Sequence, residues 1–142
     1  MKCYEIMKTN IECCPLSEAV SRLAQRMRDR NIGFLPVCDE TGTAVGTITD
    51  RDLAIRVLAE GRAPETTTAA DVMTRDIVSC APEDDLLVAE MLMSKHKVSR
   101  ILCVDGARHP VGVISLSDVA ERETGLRASA VLRSVSQREA RP

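Results

Sequence analysis

Two short segments of the sequence place a hydroxyl residue three positions before a carboxylate. Thr49 precedes Asp52, and Ser115 precedes Asp118. A carboxylate can accept two hydrogen bonds from neighbouring hydroxyls, such as the 2′- and 3′-hydroxyls of a ribose. A hydroxyl beside the free N–H groups of a helix start can hold a phosphate. The same residue types cap helices when no ligand is present, so a purely structural role stays open at this point.

These two segments belong to an internal repeat with a constant offset. Residues 46–52 (GTITDRD) return as residues 112–118 (GVISLSD), a shift of 66 positions. The same shift, without a gap, pairs Met7 with Met73. Identical and apolar positions fall at strand ends and at core spacings, which indicates a duplicated structural unit. The glycine that opens each segment belongs to no phosphate-binding glycine motif, and we expect it to permit close packing of a strand.

Composition and charge exclude several classes of function. The 142 residues carry 19 basic and 21 acidic side chains and a net charge of −2. No general positive field therefore attracts nucleic acid or an anionic membrane. Tyr4 and Phe34 are the two aromatic residues, too few for a platform that stacks bases. Apolar runs are too short for a membrane span or a signal peptide, which predicts a cytoplasmic protein.

The side chains that could do chemistry show no pattern typical of an active site. The six cysteines include no C-x-x-C pair, and neither His96 nor His109 has a companion nucleophile or base. We therefore expect no enzyme activity, no catalytic residue, no metal site and no required cofactor. In a reducing cytoplasm the cysteines are expected to be mostly free thiols.

Each repeat is predicted to form the order strand, helix, strand, strand, helix. Apolar residues three and four apart predict the first helix of each copy, which contains Val20 or Leu86. The predicted bounds are extended pieces at 10–14 and 76–80, strands at 34–38, 44–49, 100–104 and 111–115, and second helices at 51–60 and 117–124, stopped by Gly61 and Gly125. The methionines expected in the core are Met7, Met27, Met73, Met91 and Met93.

The predicted domain organisation has four parts. Repeat one covers residues 1–62, a linker covers 63–70, repeat two covers 71–125 and a tail covers 126–142. The tail has apolar residues at helical spacing, which predicts one or two amphipathic turns before a disordered end. Because a half of about 60 residues is marginally stable alone, the two copies are expected to pack together.

The pattern resembles the CBS domain pair, or Bateman module, over about residues 3–124. The resemblance is carried by residues 33–37 and 45–53 in the first copy and by residues 98–105 and 112–119 in the second. It implies a mixed α+β fold of tandem β-α-β-β-α repeats packed as a pseudo-twofold pair. It also implies two ligand clefts between the repeats, a homodimer, and a stand-alone regulatory protein of the bacterial type.

The resemblance also implies a ligand and its contacts. Members bind adenosine compounds, here expected to be AMP, ADP or ATP, ahead of NAD(H) or S-adenosylmethionine. The expected contacts are Arg100, Ser115, Ser117, Asp118, Asp76, Ile77 and Val78 in the second cleft, and Thr49, Arg51, Asp52, Asn10, Ile11 and Glu12 in the first. Because Phe34 stands where the second copy has Arg100, we expect the second cleft to be the better phosphate site.

These expectations lead to a regulatory sensor. It would bind an adenosine-containing nucleotide and signal its occupancy to a partner protein that the sequence does not identify. The alternative is a ligand-free, dimerising interaction scaffold whose C-terminal tail captures a partner. Nucleic-acid binding and membrane association are not expected.

Overall fold

The chain forms two compact units in the computed structural model, which describes residues 1–122 and 126–139. The first-sheet unit contains Glu12–Ile77. The second-sheet unit contains Met1–Ile11 together with the described residues from Val78 onward. The predicted domain bounds follow the repeat in sequence, whereas the compact units divide the chain at residues 11 and 77. Each unit therefore includes the segment that leads into the other repeat.

The first-sheet unit has three strands and three helices. Their bounds are β1 (Cys14–Pro15), α1 (Val20–Arg30), β2 (Phe34–Cys38), β3 (Ala44–Thr49), α2 (Asp50–Leu53) and α3 (Ala69–Val72). A π-helical turn, Ala54–Leu58, continues α2. The sheet order is β1-β2-β3, in which β1 is parallel to β2 and β3 is antiparallel to it.

The second-sheet unit repeats this topology. A 3₁₀ turn (Cys3–Glu5) is followed by β4 (Ser79–Cys80), α4 (Leu86–His96), β5 (Arg100–Val104), β6 (Pro110–Ser115), α5 (Leu116–Arg122) and α6 (Leu126–Glu139). Strand β4 is parallel to β5, and β6 is antiparallel to it. The predicted mixed fold with two β-α-β-β-α repeats is confirmed. The extended pieces are shorter than predicted, because only their last residues pair with a sheet.

Helical periodicity predicted the buried faces of α1 and α4 with one exception. Val20, Leu23 and Met27 are buried against the first sheet, as the spacing of three and four requires. In α4, Met93 is fully buried, but Met91 is 63% exposed. The prediction of a core position for Met91 is wrong, because a residue two positions before Met93 lies on the other side of the helix.

Each sheet receives an extra pairing from the chain segment that leads into the other repeat. Lys8 exchanges backbone hydrogen bonds with Val113 of β6, at 2.9 and 3.0 Å. Thr74 makes the equivalent exchange with Thr47 of β3, at 2.8 and 2.9 Å. The two pairings are related by the 66-residue offset, so the internal symmetry extends to the leading segments.

The repeated glycines permit this close approach. A Cβ atom on Gly46 would lie 2.6 Å from Sδ of Met73, and one on Gly112 would lie 2.6 Å from Sδ of Met7. Both separations are far below van der Waals contact. The expectation that these glycines serve tight packing is confirmed.

The linker between the repeats is part of the fold. The carbonyl of Thr67 accepts a hydrogen bond from Val20 N–H at 2.9 Å, and the carbonyl of Pro64 accepts one from Ser21 N–H at 3.1 Å. These N–H groups lie in the first turn of α1, where the helix supplies no partner. Helix α4 instead begins with a side-chain cap, since Asp85 accepts from Leu87 N–H at 3.0 Å.

The tail forms a longer helix than predicted. Helix α6 runs from Leu126 to Glu139, and Val131 and Val135 are each 3% exposed in the core of the second-sheet unit. The one or two amphipathic turns expected here are therefore a 14-residue helix that belongs to this unit. The helix stop expected at Gly125 and the end of the tail lie outside the described residues.

Candidate functional site

The turn from β6 into α5, residues 115–118, concentrates the predicted site residues of the second repeat. We call it the second acid turn. Asp118 Oδ2 accepts a hydrogen bond from Ser115 N–H at 2.8 Å, and Asp118 N–H donates to Ser115 Oγ at 3.2 Å. Ser117 Oγ lies 2.8 Å from Ser115 Oγ. The turn therefore holds one carboxylate and two hydroxyls together.

The second carboxylate oxygen of Asp118 faces a cation. Oδ1 lies 3.4 Å from Nζ of Lys8, whose side chain is 73% exposed, whereas that of Asp118 is 8% exposed. The backbone pairing of Lys8 with β6 holds this lysine beside the turn. A nearly buried carboxylate thus has one oxygen bound to the backbone and one on the side of a solvated ammonium group.

Arg100 lies next to this turn through the sheet register. It is directly opposite Ser115 in the antiparallel pairing of β5 with β6. Residues directly opposite each other project from the same face of a sheet, within side-chain reach. The second acid turn therefore has a guanidinium and an ammonium group nearby, and both can bind an anion.

The equivalent turn of the first repeat, residues 49–52, has the same backbone geometry. We call it the first acid turn. Asp52 Oδ2 accepts from Thr49 N–H at 2.9 Å, and Asp52 N–H donates to Thr49 Oγ1 at 3.1 Å. The residue opposite Thr49 is Phe34, and the place of Ser117 is taken by the exposed Arg51. This turn has one hydroxyl where the second acid turn has two.

A different cation lies beside Asp52. Arg56 Nε is 3.8 Å from Asp52 Oδ1, and Arg56 Nη1 donates to the carbonyls of Val72 and Met73 at 2.9 and 3.1 Å. The sequence predicted Arg51 as a contact of this turn, whereas Arg56 is the residue paired with Asp52. One nitrogen of the Arg56 guanidinium is therefore already bound to the backbone.

The segments expected to read adenine are irregular backbone ahead of β1 and β4. Asn10 is exposed and Ile11 half-buried in the second-sheet unit. Glu12 belongs to the first-sheet unit, where its carboxylate pairs with Arg26 at 3.2 Å and Arg30 at 2.7 Å. These ion pairs give Glu12 a structural role, and adenine contact by this segment stays a prediction.

The equivalent segment of the second repeat also straddles the two units. Asp76 is exposed and Ile77 half-buried in the first-sheet unit, whereas Val78 belongs to the second. The carbonyl of Val78 accepts a hydrogen bond from Leu102 N–H at 3.2 Å and extends the pairing of β4 with β5. A backbone contact from these residues to adenine is likewise still a prediction.

Sequence reasoning missed Lys8 and Arg56. The Asp52–Arg56 spacing of four on a helix is a signal that could have identified the first turn's ion pair. Nothing in the sequence near Lys8 indicates its place, because it reaches Asp118 through a pairing between residues more than 100 positions apart.

Two observations on metal ligands and on helix length concern the part of the chain that the structure describes. There, no three His, Cys, Asp or Glu residues are grouped so that they could hold a metal ion. Within the same residues, every helix is too short or too polar to cross a membrane.

Comparisons with known proteins relate the chain to small proteins of similar length. It is 34% identical over 140 residues to YlbB of Bacillus subtilis, covering 96% of this chain and 92% of that protein. It is also 34% identical over 118 residues to hypoxic response protein 1 of Mycobacterium tuberculosis, covering 82% and 80%. A crystal structure of hypoxic response protein I with two coordinated zinc ions has a TM-score of 0.77, at 28% identity, and covers 87% of this chain and 100% of that one.

Solved structures also include one with bound ligands. The CBS domain pair of protein MJ0100, in complex with 5′-methylthioadenosine and S-adenosyl-L-methionine, has a TM-score of 0.76 at 26% identity. The match covers 86% of this chain and 94% of that one.

The family model of the CBS domain matches the chain twice. The matched residues are 3–59 and 69–125, which contain both acid turns and both three-stranded sheets. The chain therefore belongs to the CBS domain family and carries two copies of that domain in tandem.

Proposed function

We propose that this protein is a regulatory module whose second acid turn binds an adenosine-containing ligand and signals the bound state to a partner protein. The observation that carries the proposal is the environment of Asp118. Its Oδ2 is bound to the backbone of Ser115 and its Oδ1 lies 3.4 Å from Nζ of Lys8, in a turn that also holds the Ser115 and Ser117 hydroxyls. A carboxylate held in this way is oriented before a ligand arrives.

Ribose recognition is the first step of the proposal. A vicinal diol can donate hydrogen bonds to Asp118 Oδ1 and to the remaining acceptor sites of the same carboxylate. Hydrogen bonds to a charged acceptor contribute about 1.5–3 kcal/mol each. Because the carboxylate is fixed by Ser115, little side-chain entropy is lost when the ribose binds.

Anion recognition would distinguish among adenosine ligands. Ser115, Ser117, Lys8 and Arg100 supply two hydroxyls and two positive charges around the turn. This set suits a phosphate group and favours AMP, ADP or ATP over NAD(H) or S-adenosylmethionine. The two ligands of MJ0100 support the adenosine part of the proposal, since both contain a ribose and neither contains a phosphate.

The first acid turn is proposed to be the weaker site. Phe34 replaces the arginine, Arg51 replaces the second hydroxyl, and Arg56 already binds two backbone carbonyls. A ligand there would find a carboxylate and one hydroxyl but less anion-binding capacity. Unequal occupancy of the two turns is therefore part of the proposal.

Titration calorimetry on the full chain tests this function. AMP, ADP, ATP, NADH and S-adenosylmethionine would be titrated into wild type, Asp118→Asn and the matched control Asp52→Asn. The asparagine keeps an acceptor for the Ser115 backbone but loses the charge, so we expect adenosine affinity to fall about 10-fold or more, as expected for one charged hydrogen bond. Asp52→Asn should change the tightest binding event less.

A further variant separates the two parts of the site. Lys8→Met should weaken AMP, ADP and ATP but leave S-adenosylmethionine nearly unchanged, because Lys8 is assigned to the phosphate. The proposal fails if no ligand binds below about millimolar, or if a folded Asp118→Asn protein binds as wild type does. Melting curves for each variant establish that the fold is intact.

Signalling would follow from differential affinity. A ligand shifts a conformational equilibrium only as far as it prefers one state. Hydrogen exchange with and without the tightest ligand would show whether protection changes beyond the bound turn. Unchanged exchange outside that turn would argue against transmission to a partner.

A dimerising scaffold is the second candidate, favoured by an apolar groove on the first-sheet unit. The groove has a volume of about 410 Å³ and is lined mainly by α1, α2 and the π-helical turn. Leu58, at its edge, is 80% exposed. A second copy of the chain is the proposed occupant. Sedimentation of Leu58→Glu should show loss of dimer with nucleotide binding retained, whereas an unchanged molecular mass would refute this use of the groove.

The tail is a poor candidate for partner capture. Val131 and Val135 are part of the second-sheet core. Removing the tail would therefore disrupt that core as well as remove any docking segment. Truncation therefore does not separate the two candidate functions, and point changes on exposed residues are the appropriate test.

A further inference from the structure

Two thiols of the first-sheet unit lie unusually close together. Cys13 Sγ is 2.6 Å from Cys38 Sγ. A disulfide bond is about 2.0 Å long, so formation of the bond requires a movement of only about half an ångström. By contrast, the thiols of Cys80 and Cys103 in the second-sheet unit are 3.6 Å apart.

The backbone holds the two cysteines in this arrangement. Cys13 directly precedes β1, and Cys38 ends β2, where Pro15 is its pairing partner. The carbonyl of Cys13 also accepts a hydrogen bond from Arg26 at 3.2 Å. Both ends of a prospective crosslink are therefore fixed by main-chain contacts, and no loop needs to be ordered first.

This thiol pair is a property of the first repeat alone. The 66-residue offset places Ser79 at the position of Cys13 and Val104 at that of Cys38. Packing at the equivalent place of the second sheet thus needs no sulfur. The two close thiols are therefore a feature of the first repeat that the fold shared by both repeats does not require.

The two thiols differ in access to solvent. Cys13 is exposed, whereas Cys38 is 5% exposed. Burial, followed by the hydrogen bond with Cys13, raises the pKa of the Cys38 thiol well above its usual range. An oxidant in solution therefore meets Cys13 first. The buried Cys38 reacts afterwards, with Sγ of Cys13 once that atom is part of a mixed disulfide.

We propose that Cys13 and Cys38 form a reversible thiol–disulfide modification site that is oxidised by low-molecular-weight disulfides. In the first step, the Cys13 thiolate attacks the small disulfide, forms a mixed disulfide and releases one small thiol. In the second, the Cys38 sulfur loses its proton, attacks Cys13 Sγ and releases the other small thiol. Two protein thiols are oxidised, and one small disulfide is reduced to two thiols.

The crosslink has a structural consequence within the first-sheet unit. It ties the start of β1 to the end of β2 and closes a loop that contains α1. Crosslinking restricts the unfolded chain, so the oxidised protein should melt several degrees above the reduced one. This site and its test are independent of ligand binding at the acid turns.

Mass spectrometry of the full chain tests the proposal. Reduced protein is incubated with oxidised glutathione, alkylated and digested without reduction. We expect a Cys13–Cys38 crosslinked peptide as the main oxidation product, reversed by dithiothreitol. A stable glutathione adduct on Cys13 of the wild type, a crosslink between two chains, or a different internal pair as the main product would overturn the proposal.

Replacements taken from the other repeat serve as variants. Cys38→Val should stop at the glutathione adduct on Cys13, and Cys13→Ser should leave Cys38 unmodified. The control Cys103→Val, which borrows Val37 from the first repeat, should still form the crosslink. Melting curves of the reduced variants check folding. Rapid modification of Cys38 in a folded Cys13→Ser protein would refute the proposed order of attack.

Discussion

Adding one methyl group to each repeated glycine should have unequal effects, although the two sites are equivalent in sequence. A Cβ on Gly46 would lie 2.6 Å from Sδ of Met73 and 2.9 Å from the carbonyl oxygen of Thr74. A Cβ on Gly112 would meet only atoms of the Met7 side chain among its three nearest neighbours, at 2.6, 2.8 and 3.0 Å. A thioether side chain can rotate away, whereas a paired backbone carbonyl cannot.

The magnitudes follow from these contacts. Overpacking costs about 1–3 kcal/mol, and replacing glycine by alanine regains about 0.4–1 kcal/mol by restricting the unfolded chain. Gly46→Ala also displaces Thr74, which exchanges two hydrogen bonds with Thr47 that contribute about 0.5–1.5 kcal/mol each. Taking the middle of each range, we therefore expect a loss of about 3 kcal/mol for Gly46→Ala and about 1 kcal/mol for Gly112→Ala.

Urea unfolding followed by circular dichroism measures both losses, and second-site changes identify their cause. Met7→Ala removes Sδ and Cγ, the two atoms nearest to a Cβ on Gly112, so it should largely cancel the effect of Gly112→Ala. Met73→Ala should rescue Gly46→Ala only in part, because the Thr74 carbonyl stays in place. Equal losses for the two glycine variants, or full rescue of both, would refute the assignment of the larger cost to backbone displacement.

Two further predictions concern the second-sheet unit. Val131→Asp should lower the free energy of unfolding in urea by about 3 kcal/mol, because it buries a charge. The neighbouring Leu132→Asp, at a position that is 53% exposed, should lower it by no more than about 0.5 kcal/mol. Similar losses would show that α6 does not complete this core. The Leu87 N–H group lowers the pKa of Asp85, so this cap stabilises the fold at neutral pH and the benefit disappears as pH falls through the lowered pKa. Melting temperatures of wild type and Asp85→Ala should accordingly converge in strong acid, and a constant difference would contradict the cap.

The two acid turns show how equivalent motifs come to have different surroundings. Asp52 and Asp118 make the same pair of backbone hydrogen bonds, which are set by local sequence. Their second oxygens differ, because one faces Arg56 from the same helix and the other faces Lys8 from a distant segment. The local motif therefore defines a carboxylate geometry, and the surroundings of that carboxylate define what can bind.

Local interactions account for what sequence reasoning predicted well. Helix faces, the strands of each hairpin and the hydroxyl–carboxylate turns depend on residues a few positions apart, and the 66-residue repeat allowed each to be checked against its copy. The expected packing role of the two repeated glycines follows from the same patterns. The prediction for Met91 was wrong because it placed this residue in the core, although it lies on the exposed face of α4.

By itself, then, the sequence determined the duplicated β-α-β-β-α fold and the two hydroxyl–carboxylate turns, and it predicted that the second turn is the better phosphate site. Tertiary structure alone decided which segments complete each unit, the ion pairs of Lys8 and Glu12, the burial of α6 and the meeting of Cys13 with Cys38. The physical reason is sequence separation. Contacts across a turn follow from residue spacing, whereas contacts across a sheet edge depend on where distant segments of the chain come to lie.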